Sequence, residues 1–325
     1  MSEKKVLLDV QHLQTYFPIK GGVVRKTIGH VHAVEDVSFQ IREQETFSLV
    51  GESGCGKSTT GRTILRLIEP TNGTVIFDGE DLCELNKETL RQKRRDMQLV
   101  FQDPYSTLNP RMTVRKLLEE PLDTHFKLSP EEEEAQIKWI VDAVGINPEH
   151  LERYPHQFSG GQRQRISIAR ALVTKPRFVV ADEPVSALDV SIQAQILNLL
   201  MELQKDMKLS YLFISHDLNV VRHISNRVGV MYLGRIVEMG DTEDVYQNPM
   251  HPYTQALLSA IPKMDPLEET HRIRLEGDVP SPANPPKGCA FHDRCRKCME
   301  ICRTEVPETR EIAPGHCVAC HLFDK

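Results

Sequence analysis

Apolar and polar positions alternate at residues 6–10, 37–41 and 46–50, the period-two pattern of half-buried strands, and a basic, turn-like segment at 20–26 splits the first two into an inserted hairpin. After Val50 the pattern changes. A glycine-rich stretch at 51–59 is followed by Ile64, Leu65, Leu67 and Ile68 at three-to-four spacing, which predicts strand, loop and helix in that order. Residues 74–101 hold further strands and end in an apolar run at 97–101. From 103 to 157 the pattern is helical, with Ser129 placed as an N-cap and Pro130 in the first turn before Glu131 to Glu134. Those four acids suit the positive end of a helix and read as a solvated helix start. Beyond Ser159 come a helix, a buried strand at 178–181, a helix near 192–204, a strand at 211–215 and short strands to 237. Strands that alternate with helices predict an α/β layered domain. From Asn248 prolines multiply (Pro249, Pro252, Pro262, Pro266, Pro280, Pro282, Pro285, Pro286), predicting a linker into a small tail; there is no internal repeat.

Composition narrows the function. The 325 residues carry 40 Lys and Arg against 46 Asp and Glu, a net charge of −6, which argues against a dedicated nucleic-acid binder. No window approaches the roughly 18 to 20 apolar residues of a membrane span. Residues 1–10 lack the apolar core of a signal peptide, so the expectation is a cytosolic protein. Six of the eight cysteines (Cys289, Cys295, Cys298, Cys302, Cys317, Cys320) crowd the last 37 residues, and in a reducing compartment that clustering reads as metal or cluster ligation.

The glycine stretch carries the chemistry. Gly51, Gly56, Lys57 and Ser58 fit the phosphate-loop pattern G-x-x-x-x-G-K-S, which runs here through Ser53, Gly54, Cys55 and on to Thr59. Glycines let backbone N–H groups turn toward a β-phosphate, and the following helix points its positive end there. Lys57 is placed to reach β and γ oxygens, and Ser58 offers a hydroxyl to Mg²⁺. The buried strand at 178–181 delivers Asp182 and Glu183 at its end. Alone, that pair reads as surface acids at a strand terminus. With a phosphate loop upstream, Asp182 is placed to hold Mg²⁺ through water and Glu183 to polarise the attacking water.

Phe158-Ser159-Gly160-Gly161-Gln162, the Ser215-His216-Asp217 segment after a strand, and Gln102 after another complete a recognisable set. The chain resembles the ATP-binding cassette (ABC) ATPases, whose LSGGQ motif appears with Phe158 in place of Leu. The resemblance implies an ABC-type P-loop NTPase fold: a RecA-like core, an antiparallel β subdomain and a helical subdomain at about 103–165. It implies Mg-ATP as the nucleotide, bound at residues 51–59, with Gln102 as γ-phosphate sensor and Mg²⁺ neighbour and His216 as γ-phosphate contact; His216 falls 33 residues after Glu183. Ser159 to Gln162 open a helix and would meet ATP held by the phosphate loop of a partner cassette, and Ser186 to Asp189 match the family's D-loop. The family stacks an aromatic ring on adenine ahead of the phosphate loop. Tyr16 is preferred here and Phe17 is the other candidate, while a core aromatic on the first strand is the plain reading of either.

The resemblance gives the cassette residues 1–247 and leaves 248–325 as a cysteine-rich C-terminal region. Residues 251–258 (beginning His251-Pro252-Tyr253), Pro280-Ser281-Pro282, Gly288 to Cys295 and Ala319-Cys320-His321 resemble the tail of oligopeptide/dipeptide importer ATPases. The long first hairpin is similar to the second ATPase subunit of such permeases. This implies a paralogous ATPase partner, two transmembrane permease subunits, an extracytoplasmic peptide-binding protein and a peripheral place on the cytoplasmic face of the membrane. Cys289, Cys295, Cys302 and Cys320 fall where several relatives carry a 4Fe-4S cluster. The two close pairs Cys295/Cys298 and Cys317/Cys320 equally suit zinc, and unligated thiols remain the third reading. Cys55 and Cys83 are not expected as ligands. A nickel or other small-solute importer, a metal-responsive tail, and a soluble repair or translation ATPase are the competing functions. Only about 100 residues separate the phosphate loop from Ser159, and one cassette is present, which disfavours the soluble forms.

Overall fold

The computed structural model describes residues 5–21, 26–261 and 272–324. The basic turn expected at 20–26 falls partly on 22–25, and Pro262 and Pro266 of the expected linker on 262–271; both lie outside the described residues. In chain order the strands are β1 (Val6–Gly21), β2 (Lys26–Arg42), β3 (Thr46–Val50), β4 (Asn72–Phe77), β5 (Glu80–Asp81), β6 (Met97–Val100), β7 (Phe178–Asp182), β8 (Ser210–Ile214), β9 (Arg227–Tyr232), β10 (Arg235–Asp241), β11 (Thr309–Ala313) and β12 (His316–Ala319). The helices are α1 (Lys57–Ile64), α2 (Lys87–Lys93), α3 (Pro104–Thr107), α4 (Val114–His125), α5 (Pro130–Ala143), α6 (Gly160–Leu172), α7 (Val190–Met207), α8 (Leu218–Ile224), α9 (Thr242–Gln247), α10 (Pro252–Ser259) and α11 (Ile301–Thr304). Among the described residues no helix is long and apolar enough to cross a membrane.

The elements divide into two compact units. The first is built mainly from 84–214. Its strands β6, β7 and β8 are parallel, with Val100 opposite Ala181 and Asp182 opposite Ile214. Every residue of β7 and β8 is buried, which explains their continuous apolar runs: a parallel strand covered on both faces has no polar side to show. Helices α4 and α5 pack against α6 and each other, and they bury Leu117, Leu118, Leu122, Ile137, Ile140 and Val141. The expected start of α5 is present: Ser129 accepts from the Glu132 N–H, and the Glu132 carboxylate accepts from the Ser129 N–H.

The second unit comprises 8–40, 46–83 and 215–325. In it β3 runs parallel to β9, β9 pairs antiparallel with β10, and β10 with β12, so the cysteine-rich tail adds strands to the same sheet. A separate sheet has the order β2-β1-β4-β5. Stacking of Phe39 on Phe47, with centroids 4.7 Å apart, joins the second sheet to β3. Two expectations needed revision. Strands β1 and β2 run for 16 and 17 residues, much longer than the alternating stretches, and a bulge between Gln11 and Gln14 shifts the register of β1 against β4, which it pairs only from Leu8 to Gln14. Helix α1 stops at Ile64 rather than continuing through Ile68, since Arg66 turns left-handed (φ 49°) and its guanidinium donates to the Leu82 carbonyl at 2.7 Å.

Phe178→Ala is expected to cost ~3–5 kcal/mol in urea denaturation, because the ring is fully buried on a strand flanked on both sides. Ser129→Ala, which removes only the exposed cap of α5, should cost about 1 kcal/mol. Equal effects would contradict this division between core and cap.

Candidate nucleotide site

In the second unit the loop at 51–59 connects the end of β3 to α1. Gly51 (φ 152°) and Gly56 (φ 109°) take backbone conformations closed to other residues, and a Cβ on either would stand 2.1 Å from a carbonyl oxygen, of Met231 and Ala33 respectively. Gly54 (φ 81°) has nothing within 4 Å of a built Cβ, so only its backbone sense requires glycine. Lys57 is buried, and its ammonium donates to the carbonyls of Gly51 (2.8 Å) and Glu52 (3.1 Å). The loop is thus wound around its own cation. Ser53 is exposed, and Ser58 and Thr59 lie half-buried in the first turn of α1. Cys55 is a buried filler whose thiol is pushed up by burial, with Lys57 opposing.

His216 is exposed and follows Ser215, whose N–H donates to the Leu49 carbonyl on β3 at 3.2 Å. Ser215 Oγ accepts from the Asp217 N–H, and Asp217 caps α8. His216 therefore leaves the backbone beside the strand that feeds the phosphate loop. On β1, Tyr16 is half-buried: its hydroxyl donates to both Glu35 oxygens at 2.8 Å, and its ring lies 4.2 Å from the His32 ring. Burial first, then Glu35, pushes the phenol up to about 12. Phe17 is 38% exposed and is the more open of the two rings.

The first unit carries the remaining motif residues. Strand β7 ends in Asp182, which is buried, and Glu183 follows at φ 47°, a left-handed setting that costs a non-glycine residue about 1 kcal/mol. Backbone bonds hold it there: Glu183 N–H donates to Ile214, and its carbonyl accepts from Ser186. Gln102 Nε2 donates to Glu183 Oε2 at 2.8 Å, so two residues far apart in sequence meet. Ser159 caps α6 in a reciprocal box with Gln162. A Cβ on Gly161 would press on Ile192 at 2.6 Å, and one on Gly160 would touch Leu188 of the Ser186–Asp189 turn, so both glycines permit close packing beneath an exposed helix start. Two arginines escaped the sequence reading. Arg163 is buried, lies 3.6 Å over the Tyr105 ring and donates to the Pro155 carbonyl; Arg170 donates to Thr107. An arginine one turn inside a helix that begins on glycines was the available signal.

The tail centres on Glu238. This fully buried carboxylate accepts from the N–H groups of Met250 (2.7 Å) and His251 (2.8 Å) and pairs with His316 at 2.8 Å. His251 caps α10 by accepting the Tyr253 N–H on Nδ1, and burial pulls its imidazole down to about 3. Among the described residues no three His, Cys, Asp or Glu side chains are placed to hold a metal ion. Burial raises Cys289 to about 12, helped by the charges of Cys302, Cys320 and Cys295.

Comparisons with known proteins show the family. Residues 34–186 match the ABC transporter family and 237–302 the oligopeptide/dipeptide transporter C-terminal region. The chain is 52% identical over 325 residues, 99% of each chain, to the oligopeptide transport ATP-binding protein AppF of Bacillus subtilis. The chain is an ATP-binding subunit of the oligopeptide/dipeptide ABC transporter family. This ATPase subunit is also 50% identical over 324 residues to the dipeptide transport ATP-binding protein DppF of Haemophilus influenzae, covering 100% and 99% of the two chains. The dimeric ABC transporter cassette MJ0796 superposes with a TM-score of 0.64 at 29% identity, over 73% of the subunit and 99% of that chain. CbiO1 of Clostridium perfringens does so at 0.65 and 25%, over 75% and 92%.

Gly56→Ala should abolish ATP binding in a calorimetric titration while the chain still folds, whereas Gly54→Ala, without a steric clash, should weaken it less. Because folded His251 stays neutral to about pH 3 while the unfolded imidazole takes a proton near 6.5, its contribution to stability is whole above 6.5 and falls as pH drops toward 3. His251→Gln should flatten that part of the stability profile measured by denaturant titration.

Proposed function

We propose that the ATPase subunit energises import of oligopeptides or dipeptides by hydrolysing Mg-ATP at its phosphate loop, with Glu183 activating the water. The observation that carries this reading is the 2.8 Å bond from Gln102 to Glu183, which couples the residue proposed to sense the γ-phosphate to the proposed base. Lys57 exchanges its loop carbonyls for β and γ oxygens when nucleotide enters, and the N–H groups of 53–59 with the Ser58 and Thr59 residues complete the cradle. Asp182, Ser58 and Gln102 would hold Mg²⁺; the buried, strand-end carboxylate of Asp182 suits a divalent cation, which neutralises charge on the phosphate oxygens. His216 contacts the γ-phosphate, and Tyr16 stacks on adenine. Ser159, Gly160, Gly161 and Gln162 present their exposed helix start to ATP held by a second cassette. The partners are a paralogous ATPase, two permease subunits and a peptide-binding protein. The subunit sits on the cytoplasmic face of the membrane, and the boundary near 247 marks where the cassette ends and the family-specific tail begins, with the helical subdomain at about 103–165.

For the tail we infer a 4Fe-4S cluster on Cys289, Cys295, Cys302 and Cys320. The Cys289 N–H donates to the Cys302 carbonyl at 2.8 Å, and Cys295 and Cys320 lie close enough to Cys289 to help burial raise its thiol, whereas Cys317 faces Glu311 and Arg227; thiolates grouped in this way are what an iron–sulfur cluster needs. Iron and acid-labile sulfide assays on anaerobically purified protein decide it; zinc alone, or neither, refutes it.

Glu183→Gln should keep ATP affinity and the bond to Gln102 while lowering turnover by about 10²–10⁴-fold, read as phosphate release. Undiminished turnover would remove Glu183 from its role. Affinity purification from native membranes should recover a second ATPase, two membrane proteins and a peptide-binding protein; recovery with ribosomes or repair factors would overturn the importer.

A further inference from the structure

The phosphate loop contains its own anion. Glu52 lies between Gly51 and Ser53, and its backbone carbonyl shares the Lys57 ammonium. An uncompensated carboxylate in that place repels a nucleotide carrying three to four negative charges. The compensation comes from the tail. Arg294, 8% exposed, donates from both terminal nitrogens to Glu52, at 2.8 Å to Oε2 and 3.2 Å to Oε1. Such a two-pronged pair fixes the carboxylate in orientation as well as in charge. The tail holds the loop in a second way, since the Glu52 N–H donates to the Tyr253 hydroxyl at 2.9 Å. Arg294 is itself seated against Tyr232, and Phe291 packs on Tyr232 and Tyr253 with centroids 5.2 and 5.4 Å away. All of these residues belong to the second unit.

We propose that Arg294 is a positioning residue of the nucleotide site: from the cysteine-rich tail it neutralises Glu52 inside the phosphate loop, and ATP affinity of this chain depends on that pairing. The inference rests on the assignment of residues 51–59 as the phosphate site. It separates charge compensation from mere bracing, because a brace is lost when either partner changes, whereas charge compensation is restored when the carboxylate is removed as well.

Calorimetric titration of the full-length chain with Mg-ATP and with ADP is the test. Arg294→Ala should weaken ATP about tenfold, and ADP, with less charge, by a smaller factor; the loss should shrink at high salt. Adding Glu52→Gln to Arg294→Ala should restore affinity to within about twofold. Glu52→Gln alone, which leaves the loop intact and the guanidinium uncompensated, should bind ATP several-fold tighter, and it serves where Arg294→Ala does not fold. Equal loss for ATP and ADP without rescue, or unchanged affinity in Glu52→Gln, overturns the proposal. Lys57→Ala separates the two levels: ATP binding that survives it removes the site assignment and this inference together. Loss with Lys57→Ala, but none of the other shifts, removes the inference alone.

Discussion

A loop that binds phosphate through backbone N–H groups must bring its main chain closer to its surroundings than any side chain allows. Gly51 and Gly56 meet that constraint against the carbonyls of Met231 and Ala33, and the rest of the second unit is arranged to supply those carbonyls in the right place. Met231 sits on β9, parallel to the strand that feeds the loop; Ala33 sits on β2, part of the antiparallel sheet. Two sheets of different construction therefore converge on nine residues. A shift of either would crowd the loop, which ties the geometry of residues 51–59 to the packing of Phe39 on Phe47 where the sheets meet.

The same logic governs the first unit in a different form. There the sheet delivers charge at its ends: five buried positions on β7 carry Asp182 to the limit of the core, and the chain turns left-handed at Glu183 so that its carboxylate meets Gln102. The strained backbone is held by bonds to Ile214 and Ser186, so the cost is met by the sheet and the following turn. Ser159 and Gln162 are already committed to each other as a helix cap, which means the α6 start is preformed rather than shaped on contact.

Much of this was legible in the amino-acid sequence, for definite reasons. The phosphate loop, the Asp182-Glu183 pair and Ser159 to Gln162 are local patterns, and local patterns survive without knowledge of the fold. Strands β7 and β8 were found because burial on both faces leaves continuous apolar runs, and β3 by its alternation, although all five of its residues are buried. The lengths of β1 and β2 were not, since a bulge and long polar stretches hide a strand whose pairing is decided by a partner distant in sequence. The end of α1 was missed because the apolar period continued while one arginine reversed the backbone. Long-range polar pairs left no trace at all. Glu238, Arg163 and Arg294 read as ordinary charged residues until the fold buries them against Met250 and His251, Tyr105, and Glu52. The tail cysteines are the reverse case: spacing alone gathers them in the sequence, while among the described residues no three side chains are placed to hold a metal ion.

The pairing of β12 with β10 has a practical side. β10 lies between β9 and β12, with Glu238 opposite Val318 and Met239 opposite Cys317. A chain cut after α9 would strip that neighbour away and leave a bare row of N–H and C=O groups, together with Tyr232 deprived of the Phe291 ring. An excised minimal ATPase of this kind would offer other copies of itself a template for strand addition. Truncations made to isolate the cassette would therefore create an aggregation-prone edge, and such a fragment would need charged or proline substitutions along β10 to blunt it.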